Sequence, residues 1–383
     1  MSTNYSYQIY SSTSQLPENW NDLAVATIFL SKAYLAILEK SAPANMSCHF
    51  IGLFENETLV GIALSQFVDL NQLESFGERD QCIKSSIRNV VFKNFCSHIL
   101  LIGNNTLTGQ NAFVISEKSN QTEVLKTLKK AVLALKDIFK NKGKKVHICG
   151  LKDFCEPELS RFEIPEFDPY LRFSTQPNMI FAVRDEWKTE EDYVAALSKK
   201  YRDQYKRARK KATGLVKKQL SLDEIIAQEE VIYDLYFHVA KSAPFNTFFL
   251  PKNHFAVFKE QLQDNFLFYG YFENDKLIGF NTLIKNGSDL DTYFLGYDDS
   301  IQREKMLYLN MLYDMIGYAI KEQFSSIIFA RTALEIKSSV GAKPLKMYGM
   351  MRHDNKFINP RLNFFFRYLE PEIKWTERHP FQD

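Results

Sequence analysis

Two stretches of the chain share one pattern of apolar and polar positions. Residues 50–62 read Phe-Ile-Gly-Leu-Phe-Glu-Asn-Glu-Thr-Leu-Val-Gly-Ile, and residues 268–280 read Phe-Tyr-Gly-Tyr-Phe-Glu-Asn-Asp-Lys-Leu-Ile-Gly-Phe. Seven of the thirteen aligned positions are identical, at a constant offset of 218. Each copy is an apolar strand, an Asn-containing turn flanked by acids, and a second apolar strand ending in Gly, which predicts a β-hairpin. After each hairpin come an amphipathic helix and a short apolar strand, so the pattern predicts one α/β unit present twice.

The remaining elements follow from periodicity. Leu23, Ala26, Thr27, Leu30, Tyr34 and Ile37/Leu38 predict a helix over 22–39, closed by Pro43. The first hairpin covers about 48–68, residues 70–98 read as a polar insertion, and Ile99 to Ile102 form a strand. Val124, Leu128, Leu135 and Phe139 predict a helix that stops at Lys142-Gly143, with a strand from Val146 to Cys149 behind it. Pro157, Pro165, Pro169 and Pro177 mark the boundary, giving domains 1–165 and 166–383. In the second half the pattern predicts a strand at 179–183, helices at 190–212, 222–240 and 252–263, the second hairpin at 266–285, a strand at 290–297, a helix at 305–322 and a strand at 326–330. The expected class is α/β, an α+β mixed sheet splayed at the strand before the helix. Ligands of open α/β sheets bind where strands diverge.

Composition adds little to the fold and more to the setting. The chain is 45% hydrophobic and 25% charged, enough for a core in each half. Aromatics reach 14%, an excess that suits a Phe-rich core, an apolar cleft or a lipid-facing surface. A net charge of +2 excludes a global nucleic-acid field. Cys48, Cys82, Cys96, Cys149 and Cys155 form no CxxC pair, and the first ten residues carry no basic or apolar leader pattern. No apolar run reaches the ~20 residues of a membrane span. These features lead to the expectation of a cytoplasmic protein, with contact at an anionic inner-membrane surface left open. No spacing suggests a metal site, and no Gly-x-Ser-x-Gly elbow is present.

The order of elements resembles the acyl-CoA N-acyltransferase (GNAT) superfamily. The tandem form resembles FemAB-like, peptidoglycan-biosynthesis-like acyltransferases. The matching segments are Phe29 to Glu39, Thr106-Leu107-Thr108-Gly109, Tyr193 to Arg202 with its basic continuation, and Gly341-Ala342-Lys343-Pro344. The resemblance implies transfer of an acyl group from an acyl-CoA or acyl-carrier-protein thioester to a primary amine, with a lipid or cell-envelope acceptor suggested by the aromatic excess and a basic helix. The alternatives are aminoacyl transfer from aminoacyl-tRNA to a cell-wall precursor, although tRNA is not favoured by the sequence itself, and then a non-catalytic binding module on the same fold. In one respect the chain departs. GNAT enzymes hold the CoA pyrophosphate on a Gly-rich loop at a helix N-terminus, and the stretch Asp298 to Lys305 has no glycine and three acids.

Candidate chemistry concentrates in the segment after the last apolar strand of the second repeat. Within 331–353, Arg331, Lys337 and Ser338 are expected to hold an anionic group, Glu335 to take the amine proton, and Tyr348 to protonate the leaving group. The alternative for Glu335 is an exposed bridge to Lys337 or Arg331. Asp291 and Tyr293 share a strand face, and His254 is a second candidate base; each also has a plain structural reading, as His238 does. Between Lys199 and Lys218 a basic run including Arg207 and Lys210 faces a single acid, Asp203. Spread over most of a helix circumference, it is expected to attract phosphates on a membrane, a carrier protein, CoA or tRNA.

Overall fold

The computed structural model describes residues 3–72, 95, 97–109, 111–242, 246–362 and 375–382. Most of the segment read as an insertion, 70–98, lies outside them. The chain forms two compact units. Unit 1 comprises Met1–Gln176, Pro244–Pro251 and Lys346–Glu372; unit 2 comprises Pro177–Ala243, Lys252–Leu345 and Ile373–Asp383.

Unit 1 is built on strands β1 (Tyr5–Tyr10), β2 (Met46–Glu55), β3 (Thr58–Asp69), β4 (His98–Ile102), β5 (Phe113–Ile115), β6 (Ile148–Phe154) and β13 (Lys343–His353). The order is β1-β2-β3-β4-β6-β13, with β5 also on β3. Only β4 and β6 run parallel, over Ile99↔Ile148 to Ile102↔Leu151. Unit 2 repeats this with β8 (Val216–Gln219), β9 (Phe266–Glu273), β10 (Lys276–Asn286), β11 (Asp289–Tyr297), β12 (Ser326–Ala330) and β7 (Leu171–Ala182), in that order across the sheet. Here the parallel pair is β11 and β12, over Asp289↔Ser326 to Asp291↔Ile328.

The duplication extends to backbone detail. Asn56-Glu57 and Asn274-Asp275 all have positive φ, as a two-residue hairpin turn of right-handed twist requires. Gln66 pairs with Leu101, and its counterpart 218 residues on, Ile284, pairs with Asp291. The strand after each long helix carries a bulge, between the partners of Tyr348 and Met350 in unit 1 and at Ile328/Ala330 in unit 2. The sixth strand differs. In sequence β7 follows β6 and β13 follows β12, yet β13 pairs with β6 and β7 pairs with β12. Each repeat thus sends its last strand to the other unit's sheet.

The helices are α1 (Trp20–Leu23), α2 (Lys32–Ser41), α3 (Gln121–Asn141), α4 (Glu190–Ala196), α5 (Lys199–Lys211), α6 (Leu222–Ala227), α7 (Glu229–Ser242), α8 (His254–Leu262), α9 (Asp299–Lys305), α10 (Leu307–Lys321) and α11 (Leu334–Ser339). Three expected helices break. The 22–39 helix is α1, two 3₁₀ turns and α2, because the Trp20 indole donates to the Leu30 carbonyl at 2.8 Å and Ser31 caps α2. The 190–212 helix parts at Leu197-Ser198, where Ser198 N–H donates to Pro380 O at 2.8 Å and Leu197 bridges Phe381. The 222–240 helix is interrupted at Gln228, the C-terminal cap of α6. On one face of the unit 2 sheet α10 buries Leu309, Leu312, Ile316 and Ile320. On the other, α7 crosses β11 so closely that a Cβ on Gly296 would lie 2.5 Å from Leu235 C and Tyr236 N.

Candidate functional site

Each unit has a point where its parallel pair parts, and the two points differ. In unit 1 the chain leaves β4 at Gly103 (φ +140°) and folds back on itself before β5. The Asn104 amide donates to the Tyr34 hydroxyl at 2.7 Å, and its carbonyl oxygen accepts from the Thr106 hydroxyl at 2.8 Å and Gln66 Nε2 at 3.4 Å. Asn105 N–H donates to Gln66 Oε1 at 2.6 Å, and Lys152 Nζ donates to the Asn104 and Leu107 carbonyls. Tyr34, Gln66, Asn104 and Thr106 are all buried. This network joins the Phe29–Glu39 and Thr106–Gly109 segments and fills the divergence with the protein's own polar groups. Removing one member leaves buried partners unsatisfied. Asn104→Ala is expected to lower stability by about 1–3 kcal/mol, read from the denaturant midpoint, and an unchanged midpoint would refute the role given to the network.

In unit 2 no such loop intervenes. β11 continues for nine residues, and just beyond Asp291 Thr292 Oγ1 donates to Ile328 O of β12 at 3.0 Å. Four residues of β11, Thr292 to Leu295, face three of β10, Asn281 to Leu283, so the strand bulges at Tyr293 and Phe294. Residues 292–295 are half-buried. Leu290 belongs to the core on the α10 side, so alternation directs Asp291 and Tyr293 to the opposite face. Asp291, 5% exposed, accepts from Asn286 Nδ2 at 3.3 Å. Burial raises its carboxyl to about 7, opposed by the Asn286 bond and helped by Asp289. His254, fully buried at the start of α8, shares a 2.9 Å hydrogen bond between Nε2 and the Tyr293 hydroxyl, with the rings stacked at 5.8 Å.

The segment after β12 has a different setting. α11 packs through Leu334, with Val340 just beyond it, into the core on the α10 side. Glu335 is exposed and ion-paired to Arg378, whose hydrogen bond and charge hold the carboxyl below its usual range. Arg378 lies 43 residues away, and nothing local in the sequence announces it. Ser338 Oγ donates to Glu335 O at 2.8 Å and accepts from Arg378 N–H at 3.0 Å. Lys337 is buried, and its ammonium donates to the carbonyls of Phe329, Ala330 and Arg331 at 2.6, 3.3 and 2.7 Å, capping β12. Arg331 is half-buried beside the positive-φ residues Ala330, Thr332 and Ala333. Tyr348 lies in unit 1, on β13, with the Arg172 guanidinium 4.0 Å above its ring. The structure therefore groups Asp291, Tyr293 and His254 on one face of unit 2, groups Glu335, Ser338, Lys337 and Arg378 around α11, and places Tyr348 in the other unit.

The basic helix is sorted rather than uniform. Arg209 turns inward to bind Glu190 and Asp314, and Arg202 donates to the Leu197 carbonyl. Tyr201 and Ala208 are buried beneath them. Lys199, Lys200, Lys206, Arg207, Lys210 and Lys211 are exposed. At about 100° per residue they share one outward arc with Asp203. The circumferential spread expected from the sequence is thus corrected, because half-buried acids on α4 and α10 draw Arg209 to the inner side and backbone carbonyls at the end of α4 hold Arg202.

The stretch at the start of α9 does not fit a CoA pyrophosphate. The Asp298 carboxylate caps α9, accepting from Ser300 N–H at 3.0 Å and the Ser300 hydroxyl at 2.6 Å, with Asp299 beside it. α10 follows after Met306 alone, with Asn310 Nδ2 donating to the Lys305 and Met306 carbonyls. An anion here would meet carboxylates. Among the described residues no cluster of His, Cys, Asp and Glu could hold a metal ion, and no helix is long and apolar enough to cross a membrane.

The sequence matches no family model and no curated protein. Solved structures do match. FemX aligns over 96% of this chain and 99% of its own, at 10% identity and a TM-score of 0.50. The C-terminal domain of a putative lysylphosphatidylglycerol synthetase from Agrobacterium fabrum aligns over 95% and 100%, at 8% identity and 0.52. A tandem GNAT protein from the clavulanic acid biosynthesis pathway aligns over 92% and 99%, at 7% identity and 0.51. The likeness shows the fold: two GNAT-like units in tandem, as the resemblance implied.

Proposed function

We propose that unit 2 transfers an acyl or aminoacyl group from an activated donor to a primary amine, at the divergence of β11 and β12. One observation carries this reading. The unit 1 divergence is filled by its own chain, whereas in unit 2 a continuous, half-buried β11 passes the parting point with a buried carboxyl at its foot.

In this reading the amine nitrogen attacks the donor carbonyl, the C–S or C–O bond breaks, and the ammonium proton passes to a base. Asp291 is the base the geometry favours, since a carboxyl raised to about 7 is a far better proton acceptor than one held ionised by Arg378. Glu335, first choice from the sequence, becomes the second, and His254 acts through Tyr293. The phenol of Tyr293, on the same face, takes the leaving-group role that the sequence assigned to Tyr348. Arg331, Lys337 and Ser338 follow β12, and Lys337 acts through the β12 carbonyls rather than on substrate.

The mismatch at α9 argues against a donor anchored by CoA pyrophosphate there. The exposed arc of α5 offers the alternative grip, for the phosphate of an acyl carrier protein or of an anionic lipid headgroup. Charge reversal at Arg207 and Lys210 is expected to weaken binding to vesicles containing phosphatidylglycerol or to acyl carrier protein by about tenfold or more, and to flatten its salt dependence. An unaltered salt response would return α5 to a solvated face. The reading itself is tested by offering acyl-CoA, acyl-carrier thioester and aminoacyl-tRNA donors with a panel of amines, and following product by mass spectrometry. Acyl or aminoacyl product that requires an intact unit 2 is expected. Turnover that survives disruption of the β11–β12 cleft would overturn it.

A further inference from the structure

We propose that unit 1 carries a binding site for a small oxyanion of the phosphate class, in a cleft between α3, β6 and β13. The cleft is lined by Lys129, Val132, Leu133 and Lys136 of α3, Cys149 of β6, Tyr170, Arg352 of β13, and Asp354 just after it. Three cations face one acid.

Lys129 and Lys136 are seven residues apart on α3 and so share one stripe. In the duplicated fold this stripe belongs to the core. Val124 meets the hairpin glycine Gly61, and Leu307 meets its counterpart Gly279. With these two equated, Lys129, Val132, Leu133 and Lys136 correspond to Leu312, Met315, Ile316 and Ala319 in unit 2, of which Leu312, Met315, Ile316 and Ala319 are all buried. Unit 1 has therefore placed two ammonium groups where its twin keeps apolar side chains.

These charges are incompletely neutralised. Lys136 is paired with Asp354 at 2.5 Å. Lys129 is 8% exposed, and among the described residues its hydrogen bond is to the Tyr170 hydroxyl at 2.5 Å, with the ring 4.0 Å from Nζ. The half-buried Arg352 guanidinium makes no hydrogen bond to a described residue, although its strand neighbour across the ladder is Cys149. Burial keeps the Cys149 thiol and the Tyr170 phenol protonated, raising the thiol to about 11, so neither supplies negative charge. Burial, with Arg352 and Lys136 nearby, lowers Lys129 to about 8. A buried ammonium beside a guanidinium that has no hydrogen-bond partner among the described residues is costly unless an anion joins them. An oxyanion accepting from Lys129 Nζ and from the Arg352 fork would do so.

The full-length protein is titrated with inorganic phosphate, with sodium chloride at matched ionic strength, following the unfolding temperature. A saturable rise beyond chloride is expected. Arg352→Gln, a half-exposed change that leaves the core intact, is expected to raise the half-saturating phosphate concentration at least about tenfold; Lys129→Gln is expected to remove the response. Sulfate, whose charge is constant, should bind less well as pH rises from 7 to 9.5 and Lys129, lowered to about 8, loses its proton, since Cys149 and Tyr170 stay largely neutral over most of that range. A parallel titration with glycerol 3-phosphate separates the sources: tighter binding than phosphate assigns a monoester, and equal binding assigns the free ion. Superimposable phosphate and chloride curves in the wild-type protein, or an Arg352→Gln variant with the wild-type half-saturation, would overturn the site.

Discussion

Replacement of Asp291 by Asn is expected to slow acyl transfer by about a hundredfold to ten-thousandfold, the usual loss on removing a general base, while substrate binding changes far less because the amide keeps the shape and the Asn286 contact. The same substitution should leave a mark that needs no substrate. Burial raises the folded-state pKa of Asp291 from 3.8 to about 7. A carboxyl raised on folding contributes its stability fully below the unfolded pKa and loses it as pH climbs through the folded one. The wild-type protein should therefore lose stability between about pH 4 and pH 7 relative to Asp291→Asn, by on the order of 4 kcal/mol in the limit of full burial. At pH 8 the variant should be the more stable protein and the less active one. Parallel stability profiles for the two proteins would show that Asp291 titrates normally and is not the base. Loss of rate without the stability crossover would point to a positioning role instead.

Gly296→Ala is expected to lower stability by about 3 kcal/mol or more, at the upper end of what overpacking costs. The added methyl would meet backbone atoms of Leu235 and Tyr236 at 2.5 Å and the Phe280 ring at 2.6 Å, so α7 must move off β11. That shift reaches the site through aromatic contacts. Tyr236 packs on Phe294 of the bulge and on Phe255, which adjoins His254. Activity should fall together with the denaturant midpoint, and a second-site change that shortens Phe280 should restore neither. A variant with the wild-type midpoint would mean that α7 yields at no cost and does not fix the bulge.

Much of the fold is legible because its signals are local. Asn-Glu and Asn-Asp turns tolerate the positive φ that a tight hairpin demands, so both hairpins can be placed from a few residues each. Helices α3 and α10 announce themselves by one-sided apolar periodicity. The face shared by Asp291 and Tyr293 follows from alternation alone. The breaks in the expected helices were not legible, because they answer to distant partners: Leu30 for Trp20, and Pro380 and Phe381 for the Leu197–Ser198 joint.

By itself, then, the sequence determined two hairpin–helix–strand repeats and their order, since turn chemistry and periodicity act over a handful of residues. Tertiary structure decided the rest. It sent β7 and β13 each to the other repeat's sheet, folded Asn104 and its neighbours into the first divergence and left the second clear. It paired Glu335 with an arginine 43 residues on and turned Arg209 inward to Glu190 and Asp314. Each of these outcomes depends on which buried polar group finds a partner across the fold, and such pairings satisfy hydrogen bonds and charges between segments whose separation in the chain carries no local signal.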